Sequence, residues 1–229
     1  MPQKPPQQQP AQQQPAQQKP AQRVVAAFDF DGTLSTRDNF MPFLKLVAGS
    51  PAIGRALMSG TLRMGAQGRK RWRRDDIKEE VVKRLLAGRN AAAIDILARG
   101  FADDVVRSYL RAETVEQADW HRTQGHELVI VSASLGSYLR PIAERLRFDA
   151  VLCTELEVGP DGRYTGRFAG ANVRGAEKAR RLDAWLGDDS AYVWAYGDSA
   201  GDRMLFQRAD RAVRVGRRAH LVRRARPAI

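Results

Sequence analysis

A single cysteine in 229 residues excludes a disulfide framework and fits a reducing compartment. No run of about 18 uncharged apolar residues occurs, so no transmembrane helix is expected. The N-terminal stretch lacks the apolar centre of a secretory signal, and the expected location is the cytoplasm. Histidine is scarce: His121, His126 and His220 have no ligand spacing between them, and no zinc pattern is present. Cys153 sits inside an apolar run and reads as an inert buried thiol. What the chain has in excess is positive charge, 38 Lys and Arg against 26 Asp and Glu, a net +12. Such a balance suggests nucleic acid or an anionic membrane until the charge is located.

Residues 1–22 hold ten Gln and six Pro, a composition that cannot bury a core and reads as a disordered tail. Residues 38–115 carry 15 bases and 9 acids, and residues 203–229 carry nine Arg against one Asp. The stretches 23–37 and 116–202 together hold 12 bases and 16 acids. Positive charge is therefore segregated from an acidic centre.

Short apolar runs at 24–28, 127–131, 150–153, 192–196 and 212–215 read as strands. Helix-period segments near 115–124, 137–147, 175–187 and 201–209 alternate with them. That alternation predicts an α/β fold, a doubly wound parallel sheet with helices on both faces. Residues 155–168, with Gly159-Pro160-Asp161-Gly162 at their centre, read as a β-hairpin. Residues 40–112 show only 3–4-residue apolar spacing, which predicts a helical insertion between the first two strands. The expected organisation is a tail at 1–22, a core at 23–37 and 116–229, and a helical cap at 38–115.

Chemistry gathers where the strands end, which is where open α/β sheets bind ligands. Asp29-Phe30-Asp31-Gly32-Thr33 follows the first strand. Residues i and i+2 of an extended chain project to one side, so Asp29 and Asp31 form a carboxylate pair. Two like charges there call for a cation, and an all-oxygen site suits Mg²⁺. Val131-Ser132-Ala133-Ser134 ends the second strand just before a helix, offering a hydroxyl and free N–H groups to phosphate oxygens. Gly175-Ala176-Glu177-Lys178 opens a helix. Gly197-Asp198-Ser199-Ala200-Gly201-Asp202 ends a further strand, with Asp198 and Asp202 within reach of one cation. Asp29, Asp31, Asp198 and Asp202 are the candidate metal ligands.

These four segments, in this order, resemble the haloacid dehalogenase-like phosphohydrolases, in particular the branch that includes phosphoserine phosphatase. The resemblance spans residues 24–215. It implies that Asp29 is the nucleophile that takes the phosphoryl group and that Asp31 is the general acid and base. It also implies that Ser132 and the Ala133 amide hold phosphate oxygens, that Lys178 neutralises charge, and that Mg²⁺ is held by Asp29, the Phe30 carbonyl and Asp198 with support from Asp202. The inserted helices become a cap that selects substrate. The branch usually carries Glu at Asp38, Asn at Gly201, and Gly at both Ala133 and Ser134. Asp38 keeps an acid able to bind an ammonium group, on a shorter arm. Arg63, Arg69, Lys70, Arg71, Arg73 and Arg74 form a basic cap cluster, with Arg74 taken as the candidate contact to a substrate carboxylate or second phosphate.

The implied partner is a small anionic phosphorylated substrate. Three rival readings share some of these features. A receiver-type signalling domain also joins aspartates, Mg²⁺ and lysine, but places its acceptor after the third strand and has no cap. An anionic-polymer binder would use Arg217, Arg218, Arg223, Arg224 and Arg226, yet no RNA motif accompanies them, so nucleic acid is not the expected partner. A lipid-phosphate phosphatase, of the phosphatidylglycerophosphate type, would use the amphipathic stretches 41–47 and 52–62 for peripheral contact with a membrane surface.

Overall fold

The computed structural model describes residues 22–55 and 74–216. The Gln/Pro-rich tail up to residue 21, residues 56–62 of the second amphipathic stretch, the cap residues Arg63, Arg69, Lys70, Arg71 and Arg73, the Arg74 side chain and the arginines from Arg217 onward lie outside the described residues.

The strands β1 (Arg23–Phe28), β2 (Glu127–Leu135), β3 (Ala150–Thr154), β6 (Ala191–Gly197) and β7 (Arg211–Arg214) form one sheet, all neighbours parallel, in the order β3-β2-β1-β6-β7. The antiparallel hairpin of β4 (Leu156–Val158) and β5 (Tyr164–Phe168) stands apart from it. The order reverses on either side of β1, so the sheet is doubly wound, as the alternation predicts, and β1 lies at its centre.

Period-two alternation builds a core on each face. Ala26, Phe28, Leu128, Ile130, Trp194 and Tyr196 pack on one side. Val25, Ala27, Val129, Val131, Val193 and Ala195 pack on the other, against Leu182 and Leu186 of α6 (Ala176–Leu186) and Leu205 of α7 (Arg203–Arg208). The first face is also covered by α4 (Ala112–Thr123) and α5 (Gly136–Arg145). The helix α4 straddles the expected core boundary at residue 115.

Between β1 and β2 the chain forms α1 (Phe40–Ala48), a helical stretch at 50–55, α2 (Arg74–Leu86) and α3 (Ala91–Ser108). Among the described residues of this insertion there is no strand, although Asn90 makes an isolated bridge to Arg163 of the hairpin. Its entry and exit run side by side: Ser35 pairs with Leu110, Thr36 N–H donates to the Tyr109 carbonyl at 2.8 Å, and Arg111 N–H to the Leu34 carbonyl at 2.8 Å. The insertion is not a separate apolar unit. Phe43 and Phe101 meet Tyr138 of α5 at ring-centroid distances of 4.9 and 5.5 Å, within the same buried cluster as Phe28. Burying each of these rings stabilises the fold by about 2–3 kcal/mol.

The strand β2 outlasts its expected end at Ser132 and runs to Leu135. Its pairing with β3 shifts register between Val131 and Leu135. That irregularity releases Ser132, Ala133 and Ser134 from regular pairing while their backbone stays extended.

Candidate active site

The carboxyl ends of β1, β2 and β6, with the start of α6, enclose an open cleft of about 520 Å³. It is lined by Asp29, Asp31, Asp38, Ser132, Ala133, Lys178, Asp198 and Gly201. The residues singled out from four separated segments are therefore neighbours.

Asp29 directly follows β1 and is buried, its N–H donating to the Tyr196 carbonyl at 2.9 Å. Lys178, on the first turn of α6, is also buried and donates to Asp29 Oδ1 at 2.6 Å and Asp202 Oδ1 at 2.5 Å. Burial disfavours the ammonium, but the two carboxylates outweigh it and raise the Lys178 pKa, so the side chain stays charged. Burial pushes Asp29 upward, against Lys178. Asp198 is raised as well, first by burial and then by neighbouring Asp202.

Two glycines make this approach possible. Gly32 has φ +80°, and a Cβ there would collide with the Asp198 carboxylate. A Cβ on Gly197 would lie 2.6 Å from Asp202 Cγ. Asp202 turns back beneath the strand end and accepts from the Ser199 N–H at 3.0 Å and the Ser199 hydroxyl at 2.9 Å.

Carboxylate oxygens of Asp29, Asp198 and Asp202 lie within 4.8 Å of one another. Three carboxylates share one ammonium, leaving an all-oxygen, negatively charged pocket that fits a hard divalent cation such as Mg²⁺. The Asp31 carboxylate, expected among the ligands, does not join this trio: Asn39 and Ser134 hold it elsewhere. The Phe30 carbonyl is also redirected, accepting N–H groups from Thr33 at 3.1 Å and Ser35 at 2.9 Å. Both of its lone pairs are used within the turn.

Asp31 Oδ1 accepts from the Asn39 N–H at 3.0 Å and the Asn39 amide at 2.8 Å. Its Oδ2 accepts from the Ser134 hydroxyl at 2.5 Å. Burial pushes the Asp31 pKa up to about 7, with Ser134 opposing the shift and Asp38 adding to it. An acid with that pKa can both give and take a proton near neutrality. Ser132 is buried; its hydroxyl donates to Ser134 Oγ at 3.3 Å and accepts the Ser134 N–H at 3.2 Å. Asp38 is exposed at the cleft, and its Oδ1 accepts the Phe40 N–H at 2.9 Å.

Several side chains at the site carried no signal in the motifs. Arg37, Arg111 and Arg174 line the cleft. The Arg37 guanidinium stacks on Tyr109, 3.3 Å from the ring centroid, and Arg111 donates to the Gly32 carbonyl at 3.1 Å. Lys78 of α2 donates to the Ala133 carbonyl and, at 3.0 Å, to Asn172 Oδ1, which ties the insertion to the end of β2 and to the segment before α6. Burial lowers its pKa to about 8 against the pull of Asp31, Asp38 and Asp75. Ser132 and Ser134, two apart in extended chain, share one side, and that spacing was the available clue to Ser134. Asn39 offered none.

Known proteins bear on this geometry. The haloacid dehalogenase-like hydrolase family model matches residues 26–207. Protein CicA of Caulobacter vibrioides is 36% identical over 188 residues, covering 82% of this chain and 83% of its own length. A histidinol-phosphatase of Neisseria meningitidis is 29% identical over 112 residues, 46% of this chain and 50% of that protein. Among solved structures, a protein of unknown function from Bordetella pertussis Tohama I superposes with a TM-score of 0.72 at 25% identity, covering 85% of this chain and 90% of the other. An apo phosphoserine phosphatase, at 16% identity and a TM-score of 0.58, covers 83% and 84% and shares the fold. The aspartates at the sheet's carboxyl edge, the family match across most of the chain and the phosphatases among its relatives agree: the chain belongs to the haloacid dehalogenase-like hydrolases and is a phosphatase.

Proposed function

We propose that the protein hydrolyses a small phosphate monoester, with Mg²⁺, through an aspartyl-phosphate on Asp29. The observation that carries this reading is the bridge of Lys178 between Asp29 and Asp202, with Asp31 placed apart at the same cleft. In the first step an Asp29 oxygen bonds to phosphorus while the ester P–O bond breaks, and Asp31 gives its proton to the departing alkoxide. In the second, Asp31 takes a proton from water as the water oxygen attacks phosphorus and the bond to Asp29 breaks. The products are the alcohol and inorganic phosphate. Ser132 and the Ala133 amide position the phosphoryl oxygens, and Lys178 offsets charge on the nucleophile. Asp29, Asp198 and Asp202 would hold Mg²⁺, which supplies charge neutralisation to the transferring group.

The helices of 38–115 act as the cap. Asp38 at the cleft supports a substrate bearing an ammonium group, as in the phosphoserine phosphatase-like reading. The lone cysteine, buried and with its thiol pKa raised by desolvation, supports a cytoplasmic setting. No helix among the described residues is long and apolar enough to cross a membrane. A lipid phosphate is the second reading, favoured by the exposure of Met41 and Leu46 on α1, although Phe43, Leu44 and Val47 of the same helix are buried. Flotation on anionic vesicles separates the two: a soluble-substrate enzyme stays in the unbound fraction.

Asp29→Asn should abolish turnover of an aryl phosphate while the circular dichroism and melting behaviour of a folded protein persist. EDTA should silence the wild type and Mg²⁺ restore it. Activity surviving in Asp29→Asn would overturn the nucleophile assignment.

A further inference from the structure

The three hydrogen bonds to Asp31 are unequally shared. Oδ1 accepts two donors, both from Asn39, whereas Oδ2 accepts one, from Ser134. An oxygen with two N–H donors is held as an acceptor, so a proton on this carboxyl is confined to Oδ2. Oδ2 faces the carboxyl end of β2, where Ser134 Oγ accepts from its neighbour Ser132 Oγ at 3.3 Å, and Ser132 and Ala133 line the cleft. Asn39 cannot swing away easily. It is buried, its amide also reaches Ser35 Oγ at 2.8 Å and the Arg37 carbonyl at 3.1 Å, and its own carbonyl accepts from Arg37 Nε at 3.2 Å.

We propose that Asn39 and Ser134 are positioning residues of the reaction: they hold the Asp31 carboxyl out of the acidic trio and present Oδ2 as the proton-donating oxygen toward the leaving group. The inference rests on the phosphatase reading above, in which Asp31 protonates the departing alkoxide. It assigns a task to Ser134, where the resembling branch usually has glycine. The clamp also spans two parts of the fold, since Asn39 immediately precedes α1 and Ser134 belongs to β2. The position of the acid is thereby set jointly by the insertion and the sheet.

The assignment has a signature that a purely structural role lacks. A misplaced general acid is felt in proportion to how much the leaving group needs a proton. The test is kcat/KM and kcat for the wild type, Ser134→Ala, Ser134→Thr and Asn39→Ala with dinitrophenyl, nitrophenyl and phenyl phosphate, at saturating Mg²⁺. Ser134→Ala should lose roughly 10²-fold in kcat/KM on phenyl phosphate and less than about 3-fold on dinitrophenyl phosphate, because kcat/KM reports the transfer to Asp29 whereas kcat also contains the hydrolysis step common to all three esters. Ser134→Thr, which keeps the hydroxyl, should recover most of the loss. Equal losses of kcat/KM along the series, no loss at all, or failure of Ser134→Thr to recover would overturn the proposal. Should Asn39→Ala not fold, the Ser134 pair still decides it. A wild type inert toward all three esters would overturn the phosphatase reading itself.

Discussion

At the scale of single residues, the site depends as much on missing side-chain atoms as on the charges themselves. Gly32 and Gly197 each leave a void into which an aspartate of the trio fits. Gly32 also holds φ +80°, a conformation costly for any residue with a Cβ. Gly32→Ala should therefore destabilise the fold by about 1 kcal/mol or more and displace Asp198. The informative measurement is the Mg²⁺ concentration for half-maximal activity, expected to rise by about tenfold or more. An unchanged Mg²⁺ requirement would show that Asp198 has room to relax. Lys178 illustrates the opposite case, in which a buried charge is held by geometry. Its two short contacts, to Asp29 and Asp202, keep three charged groups in a region where any one alone would be costly.

At the scale of elements, the strands were legible because short continuous apolar runs report strands buried on both faces of a sheet. The hairpin was legible from its Gly-Pro-Asp-Gly centre. The acidic trio was legible in part, since Asp29, Asp198 and Asp202 each sit at a strand end or the turn after it. What escaped depends on contacts between distant segments. The continuation of β2 beyond Ser132 follows from a register shift against β3. The partners of Asp31 lie 8 and 103 residues away. The pairing of His121 with His126 is of the same kind: both are on or beside the end of α4, yet neither has ligand spacing, and their Nδ1 atoms meet at 2.8 Å. His121 is fully buried against Phe28 and Trp194, and the titratable groups facing it are His126 and Tyr196. Burial, with a smaller contribution from His126, lowers its pKa to about 3. Its folded pKa lies below the unfolded value of about 6.5, so the unfolded chain binds more protons in between, and stability is lost as pH falls through that window. Comparing urea unfolding of the wild type with His121→Gln from about pH 6.5 to about pH 5 should show the wild type losing about 2 kcal/mol that the variant does not lose. Parallel curves would mean His121 gains a proton without unfolding.

At the scale of the whole molecule, a net charge of +12 accompanies an acidic cleft. The cleft places Arg37, Arg111 and Arg174 beside Asp29, Asp31 and Asp198. Fields of this kind act on capture, where distance matters, and are screened once the Debye length falls to a few ångströms. Raising NaCl from about 0.05 M to about 0.5 M should lower kcat/KM for a dianionic ester several-fold and leave kcat nearly constant. A matching fall in kcat would place the charge effect in the chemical step.

The entry and exit of the helical insertion meet at the paired backbone of Leu34, Ser35, Leu110 and Arg111. Topologically, then, the insertion could be exchanged for a short turn without rethreading the sheet. Energetically it could not be removed so simply, because Phe43 and Phe101 would leave Tyr138 facing water. The consequence is evolutionary. Changes that leave the residues seated on α5 in place meet fewer constraints than changes to those residues, which the sheet they cover holds in place. Sequence change is therefore cheaper on the outer surface of the insertion than on the residues that pack against Tyr138.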